Sequence, residues 1–380
     1  MSGVSARTAF IYGRPGPHPL NRSFASGLAA DFVPLDFLLR WYDVPTGRAR
    51  KYLSWLLCAA LFPRRRSYDV FLSDGIQFLP AIMKRLGLVR RRQKVAALVA
   101  GETLFFLHAG RYTGASARAQ RWAISQFDAL FCLSELQTEL ARSFVKNGRP
   151  LLFTTRGGIA SERIPPLLGN RPSLDGRTLI FVGDGPSEWR GWYKGVDVLL
   201  ETVDRLATTT AGVDLRMLGQ WDAAYLDGLF GRFPATRRVT TVSEERLVGP
   251  AGPSPHLAAA ALYVHLGRGE AFGISVLEAM CAGLPALVSE WTGAREVVAR
   301  VDPRLVVPAA AARAAQQIEW YFGLSNAERQ ALSARSREAA AAQTQDAARD
   351  GFVDEFRRML GHFRLPDLSP GPIEAATARG

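Results

Sequence analysis

The chain has 380 residues, 48% apolar and 22% charged, the proportions of a soluble globular protein too large for one ordinary core; general disorder is excluded and two domains are expected. Its three cysteines, Cys58, Cys132 and Cys281, are too far apart for a disulfide framework or a thiolate metal cage, which fits a reducing compartment, and Met1–Ala9 lacks the charged start and apolar run of a secretory leader. The formal charge of +12 is uneven: residues 1–160 hold 23 Lys and Arg against 9 Asp and Glu, the rest 24 against 26, so a negatively charged partner (nucleic acid, an anionic membrane surface or an acidic substrate) is expected to meet the first half.

Thr8–Tyr12 reads as a short apolar strand that runs into Gly13-Arg14-Pro15-Gly16-Pro17, a loop no helix can contain. Asn21 and Ser23 are candidate caps for a helix over about Phe24–Ala30. The stretch Phe37–Phe62 interleaves Trp41, Tyr42, Tyr52 and Trp55 with Arg40, Arg48, Arg50 and Lys51 and closes on Arg64-Arg65-Arg66. Its apolar run is far shorter than the ~20 residues that span a bilayer. It reads either as a segment lying in a membrane interface or as a core helix with a basic end. Strands follow at Tyr68–Leu72, Val95–Ala100, Ala129–Leu133 and Leu151–Thr155. Between them lie helices at about Phe78–Leu86, Arg118–Phe127 and Glu135–Phe144, the last capped by Ser134, and a basic cluster of Arg90, Arg91, Arg92 and Lys94. The alternation predicts a parallel sheet.

Pro165, Pro166, Asn170, Pro172 and Gly176 mark residues 164–177 as the linker candidate. A second series then begins, with strands at Thr178–Val182, Asp214–Leu218, Val239–Val242, Leu262–His265 and Ala286–Ser289 and a helix at about Val196–Ala207. Beyond Pro308 the chain reads as helical and alanine-rich, to a last helix at about Asp346–His362. The expected division is 1–165, 166–345, a helix over 346–362 and a disordered tail over 363–380.

The stretch most informative about chemistry is His265-Leu-Gly-Arg-Gly-Glu270-Ala-Phe272-Gly273-Ile274-Ser275-Val-Leu-Glu278-Ala-Met-Cys-Ala-Gly283-Leu-Pro285. Gly267, Gly269 and Gly273 let the loop approach a ligand, and Ile274, Leu277, Met280 and Cys281 have helical spacing. Glu270 then projects from the loop and Glu278 lies off the apolar stripe. The amides near Gly273, Ile274 and Ser275 stand at a helix N-terminus, which favours a phosphate. Two acceptor carboxylates flanking an anion site suit a nucleotide sugar. His265 follows a buried strand and reads first as a satisfied core histidine, though its loop could also bring it to a sugar.

Two glutamates separated by seven residues, with the Phe-Gly turn, Gly283-Leu-Pro285, Val288-Ser289 and Thr292-Gly-Ala-Arg-Glu-Val-Val298, resemble the signature of retaining glycosyltransferases with the GT-B fold, especially the large GT4 family, also described as glycosyl transferases group 1. Upstream, Ile180-Phe-Val-Gly183 and Lys194-Gly195-Val-Asp197 are similar to the family's first donor-domain strand and helix. The likeness covers roughly residues 178–300 and is faint over 1–160. It implies two Rossmann-like doubly wound domains facing a central cleft, an acceptor domain first and a nucleotide-sugar domain second, with the last helix packing back toward the first.

The resemblance implies that Glu270 bonds the donor sugar, that Glu278 accepts from the ribose hydroxyls, and that the amides after Phe272 contact sugar and phosphate beside Gly183. Lys194 would neutralise the leaving diphosphate, because cleaving a glycosyl–phosphate bond develops charge that a positioned cation stabilises. The family usually has arginine directly after that strand's glycine, where this chain has Asp184. Arg190 and Arg268 are the candidate substitutes.

No Asp-x-Asp pair is present, so a metal-independent transferase with no cofactor is expected. The missing phosphate-loop motif argues against a nucleoside triphosphatase, and Gly183-x-Gly185 lacks the third glycine of a dinucleotide fingerprint. In the first half Gly16, Asp74, Glu102 and His108 follow predicted strands, where open α/β sheets bind ligands, and are the acceptor-side candidates. The expected partners are a nucleotide sugar, a glycan or lipid-linked acceptor and an anionic membrane surface, with no nucleic acid. The expected location is cytoplasmic, peripheral at the inner face of the membrane. Two rivals share the fold: a nucleotide-sugar epimerase, and a non-catalytic binder of sugar nucleotides.

Overall fold

A computed structural model describes residues 5–13, 16–34, 65–243 and 252–368. The aromatic, arginine-rich stretch 37–62, with Cys58, lies outside the described residues, as does 369–380. The chain forms two compact units, one of residues 1–156 with 348–380, the other of residues 157–347.

The first unit alternates strand and helix: β1 (Thr8–Tyr12), α1 (Pro19–Gly27), β2 (Asp31–Pro34), β3 (Val70–Asp74), α2 (Phe78–Arg85), β4 (Lys94–Val99), α3 (Thr103–His108), α4 (Gly114–Gln126), β5 (Ala129–Cys132), α5 (Glu135–Arg142) and β6 (Leu151–Thr154). All six strands pair in parallel in the order β2-β1-β3-β4-β5-β6. Every residue of β5 is buried, as expected of a strand covered on both faces. Helix α1 starts at Pro19, earlier than its sequence caps suggested, because His18 Nδ1 accepts from the Leu20 amide and proline suits a first turn.

The second unit contains α6 (Ile164–Leu168), β7 (Thr178–Val182), α7 (Glu188–Tyr193), α8 (Val196–Thr209), β8 (Asp214–Leu218), α9 (Ala223–Arg232), α10 (Thr236–Val239), β9 (Thr240–Ser243), α11 (Ser254–Leu257), β10 (Leu262–His265), α12 (Ile274–Cys281), β11 (Ala286–Ser289), α13 (Arg295–Val301), β12 (Val306–Val307), α14 (Ala311–Gly323) and α15 (Asn326–Ala341). Its sheet is also wholly parallel, ordered β12-β11-β10-β7-β8-β9. β10 lies at the centre, where strand order reverses, so the loop after it opens at the switch point that ligands use in such sheets.

Residues 164–177 are built into the second unit and do not behave as a linker. Asn170 is buried and donates to Ser254 Oγ at 2.7 Å, while Arg337 and Arg329 donate to the carbonyls of Asn170 and Leu174 at 2.6 and 2.8 Å. The division falls at Gly157 instead. A Cβ there would lie 2.5 Å from the Phe272 ring, and one on Gly158 would lie 2.2 Å from the Thr344 carbonyl oxygen, so both glycines are required by close packing.

The last helix, α16 (Gln345–His362), belongs from Ala348 on to the first unit. There Phe352 stacks on Phe24 with centroids 4.7 Å apart, and both Phe352 and Phe356 meet Phe131. The start of the expected disordered tail is ordered: the Ala6 amide donates to the Asp367 carbonyl at 2.8 Å.

Candidate active site in the second unit

The backbone fixes the loop after β10 from two sides. The Arg268 amide donates to the Tyr193 carbonyl, the Glu270 amide to Trp291, and the Gly293 amide back to the Glu270 carbonyl, at 2.9, 3.0 and 2.9 Å. Glu270 is therefore held at both its amide and its carbonyl. Its Oε2 accepts from Lys194 Nζ at 2.5 Å. Burial opposes the Glu270 charge, but the Lys194 ammonium, with Arg190 adding to it, outweighs it and holds the carboxyl below the ordinary range.

Lys194 reaches this position because of Gly195. That residue has φ +71°, and a Cβ on it would lie 2.1 Å from the Leu266 carbonyl oxygen, so only glycine lets α8 begin against the β10 loop. Gly195→Ala is expected to destabilise the chain by about 1–3 kcal/mol, as urea denaturation would measure.

Glu278 differs from the sequence reading. Every residue of α12 from Val276 to Cys281 is buried, so the helix has no polar face for it, and Glu278 is only 3% exposed. Its carboxylate accepts from Arg163 Nη1 at 2.5 Å. Burial nevertheless pushes the Glu278 carboxyl above the ordinary range, with Arg163 opposing the shift in part. Gly273, at φ +99°, caps α12, so the amides of Ile274 and Ser275 lie in a first turn that leaves N–H groups without intrahelical acceptors. The buried Tyr263 hydroxyl lies 2.9 Å from Ser275 Oγ and 3.3 Å from the Val182 carbonyl, tying this turn to β7. Phe272 is buried against Gly157.

The two candidate cations have separate positions. Arg268 forms a two-pronged pair with Asp197, at 2.7 and 2.8 Å, donates to the Trp192 carbonyl, and lies 4.7 Å from the Trp192 ring centroid; its charge serves the α7–α8 junction. Arg190 stands on α7, a short helix where the sequence suggested a loop, and its charge acts on Glu270. Asp184 braces the loops after β7 and β8: its Oδ1 accepts from the Gln220 amide at 2.9 Å. Gly219, at φ +129°, sits so close to Gly183 that a Cβ would lie 1.9 Å from the Gly183 carbonyl oxygen.

His265 is buried, as expected, but is not satisfied; among the described residues neither ring nitrogen has a hydrogen-bond partner. Its Nε2 lies 3.8 Å from Glu270 Oε2.

In the first unit, Asp74 is the last residue of β3, and Gly16 and Glu102 follow the C-terminal ends of β1 and β4; the three strands are adjacent in the sheet and share one edge. Asp74 Oδ1 accepts from Asn21 Nδ2 at 2.6 Å, and burial raises its pKa. His108 is the last residue of α3, at the opposite end of that helix from Glu102. Glu102 instead acts on Tyr112, whose phenol pKa burial and this carboxylate raise. Arg163, Asp197, Tyr263 and Tyr112 are the site residues that motif reading missed. Asp197 lay within a quoted motif, whereas Arg163 lay just before the supposed linker and carried no signal. Among the described residues no group of three or more His, Cys, Asp or Glu is placed to hold a metal ion, and no helix is long and apolar enough to cross a membrane.

The two parallel sheets, flanked by helices, define a GT-B glycosyltransferase fold. Residues 176–322, most of the second unit, match the family model described as glycosyl transferases group 1. Over 152 residues the chain is 32% identical to a phosphatidyl-myo-inositol mannosyltransferase of Mycolicibacterium smegmatis; the match takes in 40% of this chain and 36% of that relative's length. A sucrose-phosphate synthase from Thermosynechococcus elongatus superposes with a TM-score of 0.68 at 14% identity, covering 94% of this chain and all of that one. The glycosyltransferase WaaG, involved in lipopolysaccharide biosynthesis, gives 0.62 at 17% identity, with 90% and 98% covered. HepE of Anabaena, in complex with UDP and glucose, gives 0.66 at 15% identity, with 92% and 99% covered.

Proposed function

We propose that the protein is a retaining, metal-independent glycosyltransferase that moves a hexose from a nucleoside diphosphate sugar to a hydroxyl acceptor. The observation that carries this reading is the Lys194–Glu270 pair at the open end of β10, inside the segment matched by the glycosyl transferases group 1 model. Lys194, aided by Arg190, neutralises the leaving diphosphate; Glu270 accepts from sugar hydroxyls and Glu278 from the ribose. The amides of Gly273, Ile274 and Ser275 bind phosphate or sugar oxygens. The bond between the anomeric carbon and the phosphate oxygen breaks, and one to the acceptor oxygen forms on the same face. The acceptor proton passes to the departing phosphate oxygen, so no separate base is needed.

The acceptor is a lipid-linked or membrane-embedded glycan met by the first unit, and the enzyme works peripherally at the cytoplasmic face of an anionic membrane. The charge of residues 1–160 supports this placement. So does the naming of one relative for a phosphatidylinositol substrate and of one fold neighbour for lipopolysaccharide biosynthesis. Asp74 and Glu102 mark the acceptor edge of that unit. In a flotation assay the full chain is expected to rise with vesicles rich in anionic lipid at low salt and to be released as salt screens the charge. Recovery of all the protein in the unbound fraction at low salt contradicts the membrane placement. Acceptor-dependent release of nucleoside diphosphate tests the transfer itself.

A further inference from the structure

A single carboxylate oxygen of the site faces two potential donors. Glu270 Oε2 accepts from Lys194 at 2.5 Å, and His265 Nε2 lies 3.8 Å from the same atom, outside hydrogen-bond reach. The imidazole is buried, and among the described residues neither of its nitrogens is partnered. Its place is defined on two sides. The Phe181 ring lies 5.4 Å away, centroid to centroid, and a Cβ on Gly267 would come within 3.1 Å of Nε2, so the glycine gives the ring edge its room. Burial keeps the imidazole neutral, with a pKa pulled down to about 4; Glu270 opposes this shift and Lys194 adds to it. A neutral imidazole carries one N–H. A carboxylate movement of about 1 Å separates the 3.8 Å gap from a normal N–H···O bond.

A leaving diphosphate competes for the Lys194 ammonium that Glu270 now holds. If the ammonium turns to the phosphate with nothing in its place, a charged carboxylate is left without a bonded partner in a largely buried position, the state proteins avoid most strongly. We propose that His265 is a positioning residue for Glu270: when an anion draws Lys194 away, the Glu270 carboxylate closes onto the Nε2–H of neutral His265 and keeps its orientation toward the sugar. No proton is transferred; one hydrogen bond is exchanged for another. The proposal rests on the reading of Lys194 as the diphosphate cation. It accounts for why an imidazole with no other bond is kept beneath the carboxylate.

The test is NMR of the full chain labelled with 15N-histidine, with the His265 signal assigned through His265→Gln. Inorganic pyrophosphate is the anion probe, and Lys194→Met removes the competing ammonium; Lys194→Gln serves if the methionine variant does not fold. Saturating pyrophosphate in the wild type and Lys194→Met without it are both expected to shift the His265 Nε2–H signal downfield and slow its exchange. Adding Glu270→Ala to Lys194→Met is expected to abolish that shift. A His265 signal unmoved by Lys194→Met overturns the proposal. A signal that moves with Lys194→Met but ignores pyrophosphate supports the Glu270–His265 contact and overturns the reading of Lys194 as the diphosphate cation. In turnover, His265→Gln retains a donor and is expected to keep kcat within about threefold, whereas His265→Phe lowers it roughly tenfold or more with little change in donor KM. Equal losses in the two variants overturn the positioning role.

Discussion

Replacing Lys194 by alanine is expected to lower kcat by about 100- to 1000-fold, equivalent to roughly 3–4 kcal/mol of transition-state stabilisation, measured as acceptor-dependent release of nucleoside diphosphate. The ammonium is the cation bonded to Glu270, and the other two candidates do not replace it: Arg268 is bound to Asp197, and Arg190 lies on α7 across the aromatic rings of Trp189 and Tyr193. The same substitution has a stability signature. In the wild type the Glu270 carboxyl lies below its ordinary range, so its contribution is present above the unfolded pKa and is lost as pH falls through the folded one. Without Lys194 the burial effect dominates and the sign reverses. The variant is expected to be least stable, relative to wild type, at neutral pH and to recover toward pH 5, as denaturation midpoints across that range would record. Equal loss at every pH contradicts the pairing.

Arg163→Met is expected to destabilise the second unit by about 3 kcal/mol at pH 7, because it leaves the Glu278 carboxylate charged, buried and without its ion-pair partner. The lower end of the range for buried pairs applies, since Arg163 is 25% exposed. Glu278 already lies above the ordinary carboxylate value of 4.5. The native state thus holds the Glu278 proton more tightly than the unfolded chain does. That contribution is fully present below the ordinary value and is lost as pH rises through the raised one. Removing Arg163 raises the pKa further, so the variant's deficit is expected to be small near pH 4.5 and complete at neutral pH. Adding Glu278→Gln to Arg163→Met is expected to restore much of the loss, since a neutral amide is far less costly to bury than a charge. A pH-independent deficit, or no rescue, contradicts this account.

The long buried strands were legible because runs such as Val95–Ala100 are apolar throughout and bounded by turn residues. Shorter elements were not. Asp31–Pro34 forms an edge strand despite an exposed, acidic start, Thr103–His108 makes a helix too short for periodicity to reveal, and Glu188–Tyr193 is helical although aromatic and glycine-containing. In each, packing within the unit decides what local pattern leaves open. The proline-rich stretch 164–177 misled for a related reason. Its carbonyls find donors in Arg329 and Arg337, more than 150 residues onward, which no local pattern encodes.

The glutamate pair and Lys194-Gly195 were legible through the resemblance of their motifs to the glycosyl transferases group 1, and Lys194 and Glu270 meet as a bonded pair. What spacing did not disclose was the electrostatic cost of the site. Sequence spacing placed Glu278 off the apolar stripe of α12, but a helix buried from Val276 to Cys281 forces that carboxylate to find an arginine from another segment. His265 was expected to be a satisfied core residue because its strand is buried; burial was right, but neither ring nitrogen is bonded among the described residues, and Glu270, 3.8 Å away, was legible only as a loop neighbour.

Calorimetric titration of the full chain with UDP-, GDP-, ADP- and dTDP-sugars tests most directly whether the second unit is a nucleotide-sugar site. The account predicts saturable binding of at least one of them, weakened at least about tenfold by Lys194→Ala and by Glu278→Ala. Binding of none, or binding of one that both substitutions leave unchanged, would contradict it.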